Sequence, residues 1–259
     1  MVYWFHQNFL EYALKNTFID WNSRLLPGLH ETITNPQESA QAILYLNNEY
    51  GFRTFCLMPT YFSSNESVAS FLLRRSRAIA RLKENLPFAP NIRILEGGCV
   101  HLEKSVHEVE QLHKLLLTFG ACKYLPILLP VAEFDSWIDY EINRLLYQSN
   151  FPLWFVSFEL ACLFYPDEII EKLLRIPNAI YQINYRSIEN PRMQAVIQKL
   201  LRRNATVLLG TALDNVNKCY RFDLPYHLQE AQKALPSDDY HVLLKSSQKL
   251  PLKSPRRII

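Results

Sequence analysis

Glycine is scarce in this sequence, with only 6 glycines against 15 prolines in 259 residues. Loops that wrap the phosphates of a nucleotide need glycines, because the backbone there must approach the ligand closely. The G-x-G-x-x-G pattern of dinucleotide-binding folds is absent, and so is the G-x-x-x-x-G-K pattern of nucleotide triphosphatases. The sequence therefore argues against a nucleotide-binding enzyme of either class.

A large excess of charge of one sign is also lacking. The chain has 28 basic and 25 acidic residues, which gives a formal net charge of +3. This balance does not indicate a surface for nucleic acid or for membrane lipid. No apolar run approaches the ~20 residues of a spanning helix, and the first residues lack the basic segment and cleavage site of a secretory signal. We expect a cytoplasmic protein without a membrane span.

The cysteines do not form a metal-binding or redox motif. Their number is odd, they are widely scattered, and no C-x-x-C pair occurs. This pattern fits a reducing compartment. The five cysteines are Cys56, Cys99, Cys122, Cys162 and Cys219.

Short β-branched or aromatic runs alternate with longer segments of helical periodicity. This alternation is typical of β-α units around a parallel sheet. The sequence predicts strands at residues 17–21, 53–58, 92–95, 124–129, 153–157, 179–184 and 206–210. It predicts helices at residues 36–50, 66–85, 106–119, 135–148, 166–175, 191–203 and about 225–234.

Strands that are each followed by a helix, without a break in composition, favour one α/β barrel over two domains. The alternative is an open, doubly wound sheet. In both folds a functional site lies at the carboxyl ends of the strands. We expect a barrel at about residues 17–235, a helical extension at 1–16, and a basic tail at about 246–259 outside the barrel.

The histidines do not suggest a metal site. Metal-dependent hydrolases of this architecture gather His, Asp and Glu at the strand ends. Here only His30 and His101 lie just beyond predicted strands. His107 and His113 are six residues apart, which in a helix places them on different faces and argues against a shared metal. We expect the histidines at the surface or at helix ends.

Three segments at predicted strand ends form a recognisable frame. Residues 20–28 read Asp-Trp-Asn-Ser-Arg-Leu-Leu-Pro-Gly, residues 182–184 read Gln-Ile-Asn, and residues 210–215 read Gly-Thr-Ala-Leu-Asp-Asn. This frame resembles the PHP superfamily, and within it the manganese-dependent tyrosine phosphatases of bacterial capsule and exopolysaccharide loci. Their motifs at these places are D-x-H-x-H-x-L-P-G, Q-x-N and G-T-D-x-H-N. The resemblance spans about Phe18 to Asn215 and implies a distorted TIM-like (β/α)7 barrel.

The resemblance also implies that the metal ligands of the family are replaced in this chain. Leu128 and Ala212 have no metal-binding atom, and Arg24 places a fixed cation where the family holds Mn²⁺. Loss of the whole set argues against the metal chemistry of the family, so we expect no cofactor and no catalytic residue. The positions that correspond to family ligands are Asn22, Arg24, Thr60, Cys99, Leu128, Ser157, Ala212 and Asp214.

Polar groups remain around these positions. Arg24 has two interpretations, an internal ion pair with Glu159 or Asp214 or a site for an anion, and we favour the ion pair because a buried charge needs a partner. We expect Cys99 to be a buried, inert thiol. The rings of Trp21, Tyr61, Phe158 and Tyr185 are expected to fill the space of the lost metals. The residual polar set is Asp20, Arg24, Glu159, Asn184 and Asp214.

Three functions follow from the resemblance. The first is a catalytically inactive pseudophosphatase with a binding or scaffolding role, linked to cell-surface polysaccharide synthesis and to a protein partner such as a polysaccharide-export tyrosine kinase. The second is a metal-dependent tyrosine phosphatase or phosphoesterase with a rebuilt site. The third is an RNA-binding PHP-like subunit, which the moderate charge disfavours. Self-association into a homo-oligomer is common in the family, and the sequence does not test it.

Overall fold

The computed structural model describes residues 17–30, 32–86, 91–119, 122–149 and 151–248. The predicted helical extension at 1–16 and residues 249–259 of the predicted tail lie outside them. The strands are β1 (Phe18–Ser23), β2 (Phe52–Leu57), β3 (Thr60–Tyr61), β4 (Arg93–Glu96), β5 (Cys99–His101), β6 (Leu117–Phe119), β7 (Cys122–Leu128), β8 (Leu153–Val156), β9 (Ile180–Asn184) and β10 (Thr206–Gly210). The α-helices are α1 (Pro36–Tyr50), α2 (Val68–Asn85), α3 (Ser136–Ser149), α4 (Phe158–Phe164), α5 (Asp167–Leu173), α6 (Pro191–Arg202), α7 (Val216–Tyr220), α8 (Leu224–Ala234) and α9 (Ser237–Gln248).

The strands form two sheets in which the neighbours are parallel, except that β6 runs antiparallel to β7. The orders are β1-β2-β4 and β10-β9-β8-β7-β5-β3. The two sheets meet where β2 continues into β3 and β4 into β5 along the chain. There the Gly97 amide donates to the Leu57 carbonyl at 3.1 Å, and the Cys99 amide donates to the Pro59 carbonyl at 3.0 Å. The prediction of an α/β fold with parallel strands is confirmed.

The end of β1 is hydrogen-bonded to the segment that follows β10. The Ala212 amide donates to the Asn22 carbonyl at 2.8 Å, and the Arg24 amide donates to the Leu213 carbonyl at 3.0 Å. The first and last strands in sequence are therefore adjacent at their carboxyl ends. This contact brings together residues almost 200 positions apart in the chain.

The buried apolar residues fall into two clusters. The larger one combines residues from helices and strands, as expected for helices packed on a sheet. The smaller one draws its members from strands and from the residues that directly follow them, and Trp21 of β1 and Trp154 of β8 meet edge to face in it with ring centroids 5.9 Å apart. Parallel strands therefore have apolar side chains on both faces, which explains their continuous hydrophobic runs in the sequence.

The helix ends follow local sequence signals. Asn35 caps α1, since its side chain accepts from the Gln37 amide, and Pro36 stands at the first helical position. Gly51 ends the helix in the left-handed conformation, with φ of 73°. Because these signals are local, the predicted helix at 36–50 matches the structure.

The predicted helix at residues 106–119 is wrong. The segment forms 3₁₀ turns at Val106–Glu108 and Leu112–Leu115 and then β6. Ser105 and Gln111 precede the turns in the left-handed conformation, with φ of 62° and 63°, which interrupts helical periodicity. Glu141 of α3 stabilises the first turn, because it accepts from the Ser105 and His107 amides at 2.8 and 3.2 Å.

Helix α9 was not predicted, and its last residues belong to the segment interpreted as a basic tail. Leu243 and Leu244 are buried. The Trp21 indole donates to the Ser246 carbonyl at 3.3 Å, and the Ser246 hydroxyl donates to the Val207 carbonyl. Helix α9 therefore packs on β1 and β10. In the described part of the chain, no helix is long and apolar enough to cross a bilayer.

Candidate functional site

A network of buried polar side chains lies at the strand ends, and we call Asp20, Asn22, Ser157, Gln182 and Thr211 the strand-end network. The Asn22 amide Nδ2 donates to Ser157 Oγ and to Gln182 Oε1, both at 3.0 Å. Gln182 Oε1 also accepts from the Ser157 backbone amide at 2.8 Å. The sequence resemblance predicts that Asn22 and Ser157 occupy positions of family metal ligands, and in the structure a side-chain hydrogen bond joins them.

Asp20 connects β1 to the segment after β10. Its carboxylate accepts from the Thr211 amide at 2.8 Å, from the Thr211 hydroxyl at 2.7 Å and from the Asn22 amide at 3.2 Å. Burial raises the pKa of Asp20, and these hydrogen bonds oppose the rise. The role of Asp20 is therefore to join strands rather than to face a ligand.

Gly210 allows this close approach. A Cβ atom at this position would lie 2.7 Å from the Asn22 backbone nitrogen and 2.8 Å from Gln182 Nε2. No larger residue fits there without moving β1 or the Gln182 side chain. The network therefore requires glycine at position 210.

Glu159 and Asn184 extend the network at its edge. Gln182 Nε2 donates to Asn184 Oδ1 at 3.1 Å, and the Asn184 side chain and backbone amide donate to the Glu159 carboxylate. Burial raises the pKa of Glu159 to about 7, against the opposing effects of hydrogen bonds and of the Arg24 charge. Glu159 therefore holds a proton in part of the molecules at neutral pH.

The expected ion pair of Arg24 with Glu159 or Asp214 does not form. Asp214 instead pairs with Lys218 at 2.8 Å and accepts from the Asn215 side chain at 2.9 Å. Among the described residues, the half-buried Arg24 side chain has no hydrogen-bond or ion-pair partner. The prediction overlooked Lys218, which lies four residues after Asp214 and pairs with its carboxylate.

Four further positions of the predicted former metal site are Thr60, Cys99, Leu128 and Ala212, and among the described residues they belong to no metal-binding group. Cys99 is buried as predicted, and burial raises the pKa of its thiol to about 12. Thr60 lies half-buried at the start of β3, and Leu128 ends β7 with only apolar atoms in its side chain. Ala212 has a positive φ of 50°, as does Ser157. The backbone at these two positions is thus left-handed although neither residue is glycine, asparagine or aspartate.

The four aromatic residues expected near the strand ends lie in the protein interior. Trp21, Tyr61, Phe158 and Tyr185 are each at most 1% exposed, so their rings fill volume and present no stacking face to a ligand. This burial agrees with the prediction that the four rings fill space at the strand ends.

One histidine differs from the prediction of surface or helix-end positions. The His107 side chain is 4% exposed, and its Nδ1 lies 2.7 Å from Glu141. The prediction failed there because residues 106–119 are not a helix. His227 lies in the first turn of α8, at a helix end as predicted, and its 8% exposed side chain pairs with Glu189 at 2.7 Å. A carboxylate partner makes burial of this imidazole acceptable.

The residues present do not fit the manganese centre of the resembled family. Mn²⁺ prefers carboxylate, carbonyl and imidazole ligands. The Asn22 amide nitrogen and Ser157 hydroxyl are committed to each other, and Leu128 and Ala212 offer no ligand atom. Within the described residues, His, Cys, Asp and Glu side chains form no group of three that could hold a metal.

Two residues of the site were not singled out from the sequence. Gln182 was only part of a surviving motif, yet its side chain bonds to three others. His30 was noted just beyond a predicted strand and assigned to the surface or a helix end, yet its Nε2 is buried without a hydrogen-bond partner. The Q-x-N motif was a usable signal for Gln182, whereas nothing local marked His30.

Comparisons with known proteins identify the fold. No protein-family model matches the sequence, and no curated protein matches it significantly. A chain from the crystal structures of YwqE from Bacillus subtilis and CpsB from Streptococcus pneumoniae, metal-dependent tyrosine phosphatases, matches with a TM-score of 0.64 and 17% identity, over 93% of this chain and 99% of that one. Histidinol phosphate phosphatase from Lactococcus lactis, solved with zinc, L-histidinol and phosphate, gives a TM-score of 0.47 and 13% identity, over 85% and 94%. The resemblance found in the sequence is thus confirmed in three dimensions: this chain has the fold of the metal-dependent tyrosine phosphatases YwqE and CpsB.

Proposed function

We propose that this protein is a non-catalytic relative of the metal-dependent tyrosine phosphatases, with a binding or scaffolding role. The observation that carries the proposal is the set of hydrogen bonds among Asn22, Ser157 and Gln182. By the family resemblance two of these residues stand at positions of metal ligands, and Asn22 Nδ2 donates to both Ser157 Oγ and Gln182 Oε1. These hydrogen bonds support strand ends that hold together without a cation.

The chemistry of the resembled enzymes depends on the metal. A bound cation lowers the pKa of water from ~15.7 towards neutrality and so supplies hydroxide as the nucleophile. Here the only thiol among the family ligand positions, Cys99, is buried and neutral.

We also propose that the strands close into a seven-stranded barrel. Support comes from the hydrogen bonds between the end of β1 and the segment after β10, and from the apolar cluster made of strand residues. We propose one domain over about residues 17–248, located in the cytoplasm, whose partner is a protein of cell-surface polysaccharide synthesis, such as a tyrosine kinase of polysaccharide export.

An active phosphatase with a rebuilt site is the second candidate. The observation that favours it is the survival of two buried carboxyl groups, Asp20 and Glu159, at the strand ends. Glu159, with its pKa raised to about 7, is able to exchange a proton near neutral pH. The two candidates differ in one measurable property, which is turnover of a phosphate ester.

The test is hydrolysis of p-nitrophenyl phosphate and of phosphotyrosine peptides, with and without added Mn²⁺, with CpsB as the positive control. We expect no turnover above background. Turnover that persists through a second purification and is abolished by Glu159→Gln, but not by the surface variant Glu38→Gln, would establish the active enzyme instead.

A further inference from the structure

A cavity of about 260 Å³ lies between β7, α3 and the 3₁₀ turns that replace the predicted helix at 106–119. Most of its wall is apolar. The apolar side chains include Leu112 and Leu116 from the turns, Leu125 from β7, Leu145 from α3 and Phe151 before β8. None of these residues belongs to the strand-end network, so the cavity is a separate feature of the molecule.

The cavity extends from the surface towards the core. Leu125 and Leu145 are buried and form its base. Gln111 and His113 also line it, and both residues are exposed, so they form its rim. A small molecule can therefore reach the apolar base without unfolding of the surrounding elements.

The volume limits the size of the ligand. Close packing leaves few voids larger than a water molecule in a protein interior. The cavity volume of about 260 Å³ exceeds the ~150 Å³ of an apolar cavity that admits benzene, and it is below the roughly 300–1,000 Å³ of sites for drug-sized ligands. A molecule larger than benzene and smaller than a drug, such as a fused two-ring aromatic, therefore fits.

His107 gives the cavity a polar wall. Its Nδ1 lies 2.7 Å from the Glu141 carboxylate, and its Nε2 lies 3.6 Å from the Glu108 carboxylate. Glu141 also accepts from the Ser105 and His107 amides, which holds the imidazole in a fixed position. The two carboxylates already place negative charge beside the ring, so they disfavour an anionic ligand at this wall.

The rings in the wall favour an aromatic ligand, since Phe151 and His107 both line the cavity and aromatic rings pack well on one another in offset or edge-to-face geometry. We propose that the cavity binds a small, uncharged aromatic molecule of about the size of indole. The leucines supply the apolar contact that buries such a molecule. The inference goes beyond the proposed function and does not depend on the absence of metal, so failure of one leaves the other intact.

The experiment is an NMR titration of the full-length ¹⁵N-labelled protein with indole and, separately, with indole-3-carboxylate, which adds a negative charge to the same ring. With indole we expect saturable shifts at the backbone amides of Leu112, Leu116, Leu125 and Leu145. The Kd for indole-3-carboxylate should be at least about tenfold higher, because a charge that leaves water without a partner costs free energy.

Two variants fill the cavity from different positions on its wall, Leu112→Trp and Val109→Trp. Each should raise the Kd for indole about tenfold or more, because the new side chain occupies the volume that the ligand would fill. Leu73→Trp is the matched control, since it adds the same side chain at an exposed position of α2, and it should bind indole as the unchanged protein does.

Three results would each overturn the proposal. The first is that indole gives no saturable shifts at the four leucine amides of the unchanged protein, a measurement that requires no variant to fold. The second is that a cavity-filling variant with a native ¹⁵N spectrum binds indole as tightly as the control. The third is that indole-3-carboxylate binds as tightly as indole, which would contradict an uncharged ligand.

Discussion

At the scale of single residues, the Gln182 side chain links three strand ends. Its oxygen accepts from Asn22 and Ser157, and its nitrogen donates to Asn184. The bonds to Asn22 and Ser157 are buried, so breaking them without replacing them leaves polar atoms unsatisfied. The cost of a buried polar group without a partner is about 1–3 kcal/mol.

Replacing Gln182 with methionine, which has a similar volume, should therefore lower the free energy of unfolding by about 1–3 kcal/mol. The Ser157 amide loses its acceptor in this variant, and Asn22 keeps only the Ser157 hydroxyl. Urea unfolding followed by circular dichroism measures the effect. Gln37→Met on the exposed side of α1 is the control and should change stability by less than about 0.5 kcal/mol. Equal stability of the two variants would show that the network is not needed.

Glu159 gives the stability a pH dependence with a defined sign. Its pKa is about 7 in the folded protein and about 4.5 ordinarily. Between these values the folded protein keeps a proton that the unfolded chain has released, so the contribution is full below about pH 4.5, falls as the pH rises, and is lost above about pH 7.

The variant Glu159→Gln isolates this contribution, because glutamine resembles the protonated carboxyl and does not titrate. We expect the unchanged protein to lose stability relative to Glu159→Gln as the pH rises through that window, by up to about 1.4 kcal/mol per pH unit. Asp20 and His30 titrate in both proteins, so their effects cancel in the difference. A difference that stays constant, or that favours the unchanged protein at higher pH, would contradict the raised pKa.

At the scale of elements, α9 stabilises the contact between β1 and β10. Leu243 is 1% exposed, and its neighbour Val242 is 55% exposed. Truncating a fully buried leucine removes its contacts and leaves a cavity. The two adjacent residues therefore allow a matched comparison within one helix turn.

We expect Leu243→Ala to lower the free energy of unfolding by about 2–5 kcal/mol, and Val242→Ala to change it by less than about 0.5 kcal/mol. Thermal or urea unfolding of the two variants gives the comparison. If both substitutions are equally mild, α9 does not pack on the strands as described.

The elements also show how far sequence patterns predict structure. Seven strands of the parallel sheets were predicted from short apolar runs, which are typical of strands buried on both faces. The short strands β3 and β5 were missed, because two or three residues do not make a recognisable run. Helix α9 was missed because its polar residues Lys245 and Ser246 suggested a tail, while the burial of Leu243 depends on β10. The 106–119 segment was mistaken for a helix because the hydrogen bonds that Glu141 accepts from the Ser105 and His107 amides come from a distant part of the sequence.

The candidate site, like the fold, was predictable only in part. The sequence alone indicated that the side chains of Leu128 and Ala212 cannot bind a metal, since neither residue type offers a ligand atom. The pairing of Asn22 with Gln182 was not, because 160 residues separate them and neither motif names the other. The ion pair expected for Arg24 was wrong, because Lys218 satisfies Asp214 locally.

At the scale of the whole molecule, the chain combines the fold of a metal-dependent phosphatase with strand ends that bond to one another. The TM-score of 0.64 to a chain from the YwqE and CpsB structures shows that the architecture is shared at 17% identity. A cluster of acids and histidines is stable only around cations, because like charges repel. Replacing such ligands with amides, a hydroxyl and apolar groups removes both the repulsion and the affinity for metal.

The central claim is that these strand ends do not bind the metals of the fold. Elemental analysis tests it on protein that has been incubated with excess Mn²⁺, Fe²⁺ and Zn²⁺ and then dialysed, with CpsB treated in parallel. We predict well under one metal ion per chain for this protein and retained metal for CpsB. One or more ions retained per chain, and lost in Asp20→Asn or Glu159→Gln but not in the surface variant Glu38→Gln, would contradict the account.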